Sequence, residues 1–504
     1  LRITERAPTS SIRPNAEYDA AAALMKVQDW TAAASVLDKF RAAFPDHELN
    51  AEATKQLAFV YREGGESSLA AGEYERVAAE AQDPELEREA LLSAGELYEQ
   101  SKDTGRTLEV YERYIAKFTQ PADVAIETRH KVAEIYRERG DDARYREQLA
   151  ALIAADAAAG AERTDRTRYL AAQAGLVLAE PSYAAFNVVE LKQPFEQNLK
   201  LRRQRMDEAL KAFEGLIPYE VADVTTAATF YMAEIYSSFS KSLLDSERPT
   251  NLNAAELAEY EDVLEEQAFP FEERAIEVHE ANVDVMIASG IYNKWVEQSF
   301  ARLAVLMPGR YAKEEQGIGQ LGAIETFTYR RAGAAPAVPA VAAETETRRA
   351  RAPAQKGPTI RLEVLAGAGF TITDAARVSP ELRDRYLAAV GFIEQGLYER
   401  GVAELEAVTK QQPELANPHV DLGIAYARTG RLAEAAASLE RAVALSASHP
   451  IAHEELGLVY RKQARFADAR AQYEQALALY PEFHLAHRNL GVLCDLYQRD
   501  YACA

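Results

Sequence analysis

One pattern recurs in the last quarter of this chain with a period of 34 residues, and a fixed period of that length admits few folds. Ala389, Gly423, Gly457 and Gly491 share the spacing, as do Gly401, Ala435, Ala469 and Cys503. Leu405, Leu439 and Tyr473 form a third register of large residues, and Pro413 and Pro481 lie two periods apart. Small residues at two places per period let two antiparallel helices approach closely. Large ones fill the space beside them, and proline ends the second helix. A lone hairpin cannot bury its apolar stripe, so hairpins must stack. At 504 residues the chain is too long for one core, and 48% hydrophobic residues suffice for a continuous stack.

The cleanest copy, PIAHEELGLVYRKQARFADARAQYEQALALYPE from Pro450 to Glu482, resembles the tetratricopeptide repeat (TPR). The resemblance implies an all-α fold, an α-α superhelical TPR solenoid that binds peptides or proteins and performs no chemistry. The N-terminal third repeats with a longer step: Leu24, Tyr61, Tyr98 and Tyr136 are 37, 37 and 38 residues apart. The pairs Ala33/Leu37, Ala70/Tyr74 and Thr107/Tyr111 supply the small-then-large step of second helices, and Pro45 and Pro121 punctuate the ends. Three added residues are about one helical turn.

From 161 to 331 the period blurs while the texture stays helical, notably over 205–216, 230–244, 271–289 and 291–307, with a loop over 246–253. Residues 332–378 read as a Pro/Ala-rich linker, with a basic cluster at Arg348, Arg349, Arg351 and Lys356. A short strand is expected at 359–365, where Ile360, Leu362 and Val364 alternate with Arg361 and Glu363. The expected organisation is a TPR-like block at 14–160, a long-helix extension at 161–331, the linker, and a TPR block at 379–504. The last repeat stops at Ala504, one turn into its second helix, and the chain begins at Leu1 without Met, which suggests a piece or processed form of something longer.

The formal charge of −22 disfavours nucleic acid and anionic lipid as partners. No run approaches the ~18 apolar residues a spanning helix needs. Gly317, Gly319 and Gly322 spell GxGxxG, but RYAKEEQ precedes them where a dinucleotide site needs an apolar strand, and no βαβ unit follows. GxxxxGK[ST], HExxH, GxSxG and paired CxxC are absent, so no catalytic residue, metal or cofactor is expected. His419, His453 and His487 recur at the 34-residue spacing, but successive repeats lie about 10 Å apart, too far to share one ion. A packing role is expected for them.

TPR geometry, carried over by resemblance, puts a concave groove on the first helices. Its ninth positions here are Val390, Ile424, Leu458 and Val492, an apolar stripe, with Tyr386, Arg428, Arg461, Lys462, Arg488 and Asn489 nearby. The family's clamp for a peptide carboxylate is not expected, because the fifth positions are Tyr386, Val420, Glu454 and Arg488 and only Asn489 fits at the sixth. The groove suits an amphipathic helix or an extended segment with acidic residues. Alternatively the stripe packs against the solenoid's own helices or against absent repeats. The two cysteines, Cys494 and Cys503, fall on facing helices of one hairpin by this register. They are either ordinary core residues or a disulfide, and the latter would point to an oxidising compartment.

The stretches SKSLLDSERPTNLNAAELAEYEDVLEEQAFPFEERAIEVHEAN and WVEQSFARLAVLMPGRYAKEE are similar to a bacterial family of envelope TPR proteins that accompany ExbB/ExbD/TonB-type energy-transducing modules. That likeness implies a periplasmic, non-catalytic scaffold with ExbB/ExbD/TonB-like proteins as partners. The rival expectations are a regulatory arm of a larger enzyme, for which the cytoplasm is the alternative compartment, and an outer-membrane assembly or secretion chaperone.

Overall fold

The computed structural model describes residues 9–330, 361–365, 368–374 and 376–504. The basic cluster at 348–356 and most of the expected linker lie outside the described residues. The fold is the all-α TPR type, with two compact units, one up to Glu272 and one from Glu273.

The first unit opens with helical hairpins: α1 (Arg13–Lys26) with α2 (Trp30–Ala43), α3 (Asn50–Glu63) with α4 (Ser67–Glu80), α5 (Pro84–Gln100) with α6 (Thr104–Lys117), and α7 (Ala122–Glu138) with α8 (Asp142–Ala158). Longer helices follow: α9 (Asp165–Asn187), α10 (Phe195–Glu214), α11 (Ala222–Leu244) and α12 (Ala254–Ser289), inside which the division between units falls. In the second unit α13 (Lys294–Leu306) and the single turn α14 (Pro308–Tyr311) precede an extended segment and strand β1 (Thr326–Arg330). Strands β2 (Arg361–Leu365) and β3 (Gly369–Thr373) follow. The C-terminal hairpins are α15 (Pro380–Glu394) with α16 (Tyr398–Gln411), α17 (Ala416–Arg428) with α18 (Leu432–Leu445), and α19 (Pro450–Lys462) with α20 (Phe466–Leu479). Helix α21 (His484–Val492) opens the last repeat.

One turn design serves both units despite their different periods. Each hairpin turns through a single left-handed residue: Gln28, Gly65, Lys102 and Gly140 in the first unit, Gly396, Gly430, Ala464 and Arg499 in the second. The residue after it donates its N–H to the carbonyl five back, at 2.8–3.1 Å, in seven of these eight turns. This closes the carbonyls that the first helix leaves unpaired at its end. The carbonyl so used belongs to Leu24, Tyr61, Tyr98, Tyr136, Phe392, Tyr426 or Tyr460, so the aromatic register and the turn register are one frame. In the last repeat α21 widens into a π-helical segment, Leu493–Gln498, which absorbs one extra residue before Arg499.

The tyrosines of that frame staple successive hairpins. Tyr98 donates to Glu75 at 2.9 Å, Tyr426 to Glu406 at 2.6 Å and Tyr460 to Glu440 at 2.8 Å, each carboxylate lying on the preceding second helix. Tyr136 bonds Glu112 in the same way. An arginine from the following helix start covers each ring: Arg106, Arg144, Arg431 and Arg465 sit 5.6, 5.3, 4.4 and 3.8 Å from the ring centroids. Such partly exposed bonds contribute about 0.5–1.5 kcal/mol each, with a similar cation–π increment.

Three expectations need amendment. First, the compact division falls at 272/273, not near 331. Val283, Met286, Val296, Phe300, Leu303 and Tyr311 form one buried cluster with Val492 and Leu496, so 273–311 packs with the C-terminal repeats. Second, a three-stranded antiparallel sheet of order β1-β3-β2 is present where one strand was expected. Five-residue TFTYR and GFTIT are too short to show alternation convincingly. The sheet packs back on the chain: Tyr329 and Phe370 stack at 4.9 Å and meet Tyr480 and Phe483 edge-on at 5.1–6.2 Å. Third, Cys494 and Cys503 are bonded with Cα atoms 5.8 Å apart, but not across facing helices. Cys494 is in the π segment, and Cys503 is in the turn after Arg499.

Candidate functional site

The first helices α15, α17, α19 and α21 line the groove of the second unit, and the small residues of the 34-residue register seat α15, α17 and α19 against their partner helices. A Cβ on Gly423 would lie 2.5 Å from Leu439 Cγ, and one on Gly457 would lie 2.5 Å from Tyr473 Cε1. Such approach leaves the opposite face of each first helix for the groove.

That groove is filled by the chain itself. Residues 312–325 cross it as an extended strap, from α21 at one end to α15 at the other. Arg488 Nε donates to the Glu314 carbonyl at 2.9 Å. Asn489 accepts the Gln316 N–H at 2.8 Å and returns a bond to its carbonyl at 3.0 Å. Glu455 accepts the Ile318 N–H at 2.8 Å; Asp421 accepts those of Leu321 at 2.5 Å and Gly322 at 3.4 Å. Asn417 donates to the Ala323 carbonyl at 2.8 Å. Arg383 pairs with Glu325 at 2.6 Å where the strap ends.

Asp421, Glu455 and Asn489 are the sixth positions of three successive repeats, so the same position of each reads the strap's main chain, with Asn417 and Arg488 adding a bond in two of them. Ten residues, Gln316 to Glu325, take the strap from α21 past α19 and α17 to α15. Three extended residues rise about 9 Å, close to the helix packing distance of about 8–10 Å. Glu315, Ile318, Leu321 and Ile324 therefore recur every three residues; the three apolar ones pack into the groove's core.

Glu315 is the strap's one charged anchor in the groove. Its side chain, 3% exposed, pairs with Arg461 and accepts the Tyr473 hydroxyl at 2.9 Å. Burial raises the Glu315 carboxyl against the pull of Arg461 and Tyr473. Burial also works against the Arg461 charge, and Glu315 more than offsets it. The groove floor is acidic. Burial pushes Asp421 up to about 6, against its bond from Tyr386, and raises Glu455 as well. Glu454, fully buried, is raised by burial and by Glu455, and accepts the Asn489 amide at 2.6 Å.

The three glycines that spell a nucleotide motif serve this groove. A Cβ on Gly317 would stand 2.7 Å from Glu455 Oε1 and 3.1 Å from Leu458 Cδ1, while Gly319 and Gly322 adopt left-handed φ of +85° and +64°. Of the groove residues named from sequence, Tyr386, Val390, Ile424 and Leu458 lie buried in the core that the strap completes. Arg461, Arg488 and Asn489 hold the strap directly. Arg428 and Lys462 are exposed, and Val492 faces the α12–α14 cluster instead. Asn417, Asp421 and Glu455 were missed. Their signal was a polar residue inside an otherwise apolar first helix, repeated at the 34-residue spacing for the two acids.

The histidine register ties each first helix to the loop before it: His419, His453 and His487 Nε2 bond the carbonyls of Pro413, Ala447 and Pro481, each six residues back, at 3.3, 3.1 and 2.8 Å. Burial lowers the His419 pKa and pushes that of His449 down to about 3. Neutral His449 caps α19 through Nδ1, and its Nε2 bonds Asn417 at 3.0 Å, steadying the amide that holds Ala323. Cys494, Asp500 and Cys503 are the one metal-suited cluster among the described residues, and both thiols are committed to the disulfide.

The tetratricopeptide-repeat family profile matches residues 386–450 and 454–500. No curated protein matches the chain. Among solved structures, the first TPR of Spaghetti (RPAP3) bound to an HSP90 peptide is 21% identical, over 23% of this chain and 94% of that one, with a TM-score of 0.23. MamA is 23% identical, over 24% of this chain and 70% of that one, with a TM-score of 0.23. The P58(IPK) TPR domain is 11% identical, over 97% and 99%, with a TM-score of 0.23.

Proposed function

We propose that this chain, whose C-terminal unit carries tetratricopeptide repeats, is a non-catalytic scaffold for protein–protein interaction in a bacterial envelope complex for energy transduction or transport. The observation that carries this reading is the groove of the second unit, which holds an extended polypeptide by its main chain through the sixth-position side chain of three successive repeats. Its buried acids are engaged in accepting N–H and O–H groups, a recognition role. No helix among the described residues is long and apolar enough to cross a membrane.

The finer reading, a periplasmic protein acting with ExbB/ExbD/TonB-like partners, is supported by the likeness of residues 240–282 and 295–315 to the envelope family. The Cys494–Cys503 pairing supports it too, because structural disulfides persist in oxidising compartments. Affinity purification from the native host without overexpression, followed by mass spectrometry, tests both levels. Co-purified ExbB/ExbD/TonB-like proteins uphold the finer reading. Cytoplasmic enzymes alone would overturn it, and no stable partner at all would overturn the scaffold itself.

A further inference from the structure

We propose that the strap is an exchangeable internal ligand, and that the groove of the second unit accepts a partner segment of the strap's own pattern in its place. This inference rests on the scaffold reading and specifies the partner's chemistry: an extended stretch with an acid, a glycine two residues later, and apolar residues three and six after the acid.

Two observations set that pattern. The bonds from Asn489, Glu455 and Asp421 go to main-chain atoms, which any extended polypeptide offers in the same order. The side-chain requirements are few. Arg461 and Tyr473 face the Glu315 carboxylate, and an occupant without an acid there would leave the largely buried guanidinium unpaired. At Gly317 a Cβ would stand 2.7 Å from Glu455 Oε1 and 3.1 Å from Leu458 Cδ1, so a larger residue must displace the carboxylate that accepts the Ile318 N–H. Ile318 and Leu321 fill the apolar stripe.

Tethering gives the strap an effective concentration on the order of mM, so a partner competes only with high intrinsic affinity or several simultaneous contacts. The strap thereby sets a threshold: segments of the wrong pattern do not displace it, and matching ones do so in proportion to their concentration.

The test uses the full chain, wild type and Gly317→Val, with a fluorescein-labelled peptide of residues 312–325 read by fluorescence anisotropy. Gly317→Val drives the Glu455 carboxylate from the Ile318 N–H and so weakens the strap's seat, and hydrogen exchange at Ile318 and Leu321 reports its release. The peptide is then expected to bind this variant at least tenfold more tightly than wild type. The same peptide carrying valine at the Gly317 position is expected to lose at least tenfold. Loss of helicity in Gly317→Val would show the strap to be an indispensable part of the core and overturn the proposal. So would a folded variant with free strap amides that binds no peptide, or one that binds both peptides equally. Peptide exchange without any native partner would uphold the groove's specificity and count against the scaffold reading alone.

Discussion

Asn489 holds Gln316 by both of its main-chain polar groups: the side-chain oxygen takes the N–H at 2.8 Å and the amide nitrogen gives to the carbonyl at 3.0 Å. The same nitrogen lies 2.6 Å from buried Glu454. Replacing Asn489 with alanine removes all three bonds and strands a buried carboxyl, a loss of about 2–4 kcal/mol. Hydrogen exchange resolved to the strap should show faster exchange at Gln316, with the turns of the first unit unchanged. Unaltered protection would refute the clamp.

Asp421 makes the second unit sensitive to pH. Its folded pKa, raised to about 6, exceeds the ordinary 3.8, so the folded state holds the proton more tightly than the unfolded chain. Stability from this group is greatest below the ordinary aspartate range and falls as pH rises to about 6, by about 2–4 kcal/mol. Asp421→Asn keeps an oxygen for the Leu321 N–H and cannot ionise. Urea midpoints at pH 4.5 and 7.5 should therefore favour the low-pH value more in wild type than in the variant. Parallel profiles would rule this out.

Two glycines of one register should respond oppositely to alanine. On Gly457 the new methyl would meet the Tyr473 ring at 2.5 Å, whereas on Gly491 it meets nothing within 4 Å. Gly457→Ala is expected to destabilise by about 1–3 kcal/mol and to loosen Glu315, since Tyr473 bonds it. Gly491→Ala is expected to stabilise by about 0.5–1 kcal/mol through helix propensity. Thermal melts of the pair decide the matter, and equal shifts would contradict the packing.

Ala464 and Lys102 occupy left-handed turns, with φ of +62° and +59°, that Gly430 and Gly140 fill elsewhere. Because L-residues are strained there, Ala464→Gly and Lys102→Gly should each raise stability by about 0.5–1 kcal/mol, and Gly430→Ala should lower it by about as much. Chemical denaturation of the three variants checks the sign; a loss on adding glycine would count against the shared turn.

The helices were legible because they depend on local periodicity: Gly423, Gly457, Leu439 and Tyr473 announce close packing by spacing alone. The groove stripe Val390, Ile424 and Leu458 came from TPR geometry, carried over by resemblance onto that register. Its occupant did not, because the strap lies 100 residues from Asp421 along the chain and has no periodic structure of its own. Its glycines could be refused as a nucleotide loop from the polar residues before them, yet their use at Glu455 and Leu458 is purely tertiary. The cysteines were placed on facing helices by a register that assumed an ordinary helix. The π turn at Leu493–Gln498 shifted that frame by one residue, which no spacing rule anticipates.

Three strap residues answer each 34-residue hairpin, and the two lengths are therefore inherited together. Inserting or deleting a hairpin within the C-terminal block would break the strap's contacts on one side of the change, between Glu315 at Arg461 and Glu325 at Arg383, unless the strap changed by three residues in step. Open-ended solenoids grow or shrink by copying a module; this block can do so only through two matched changes at distant places in its gene.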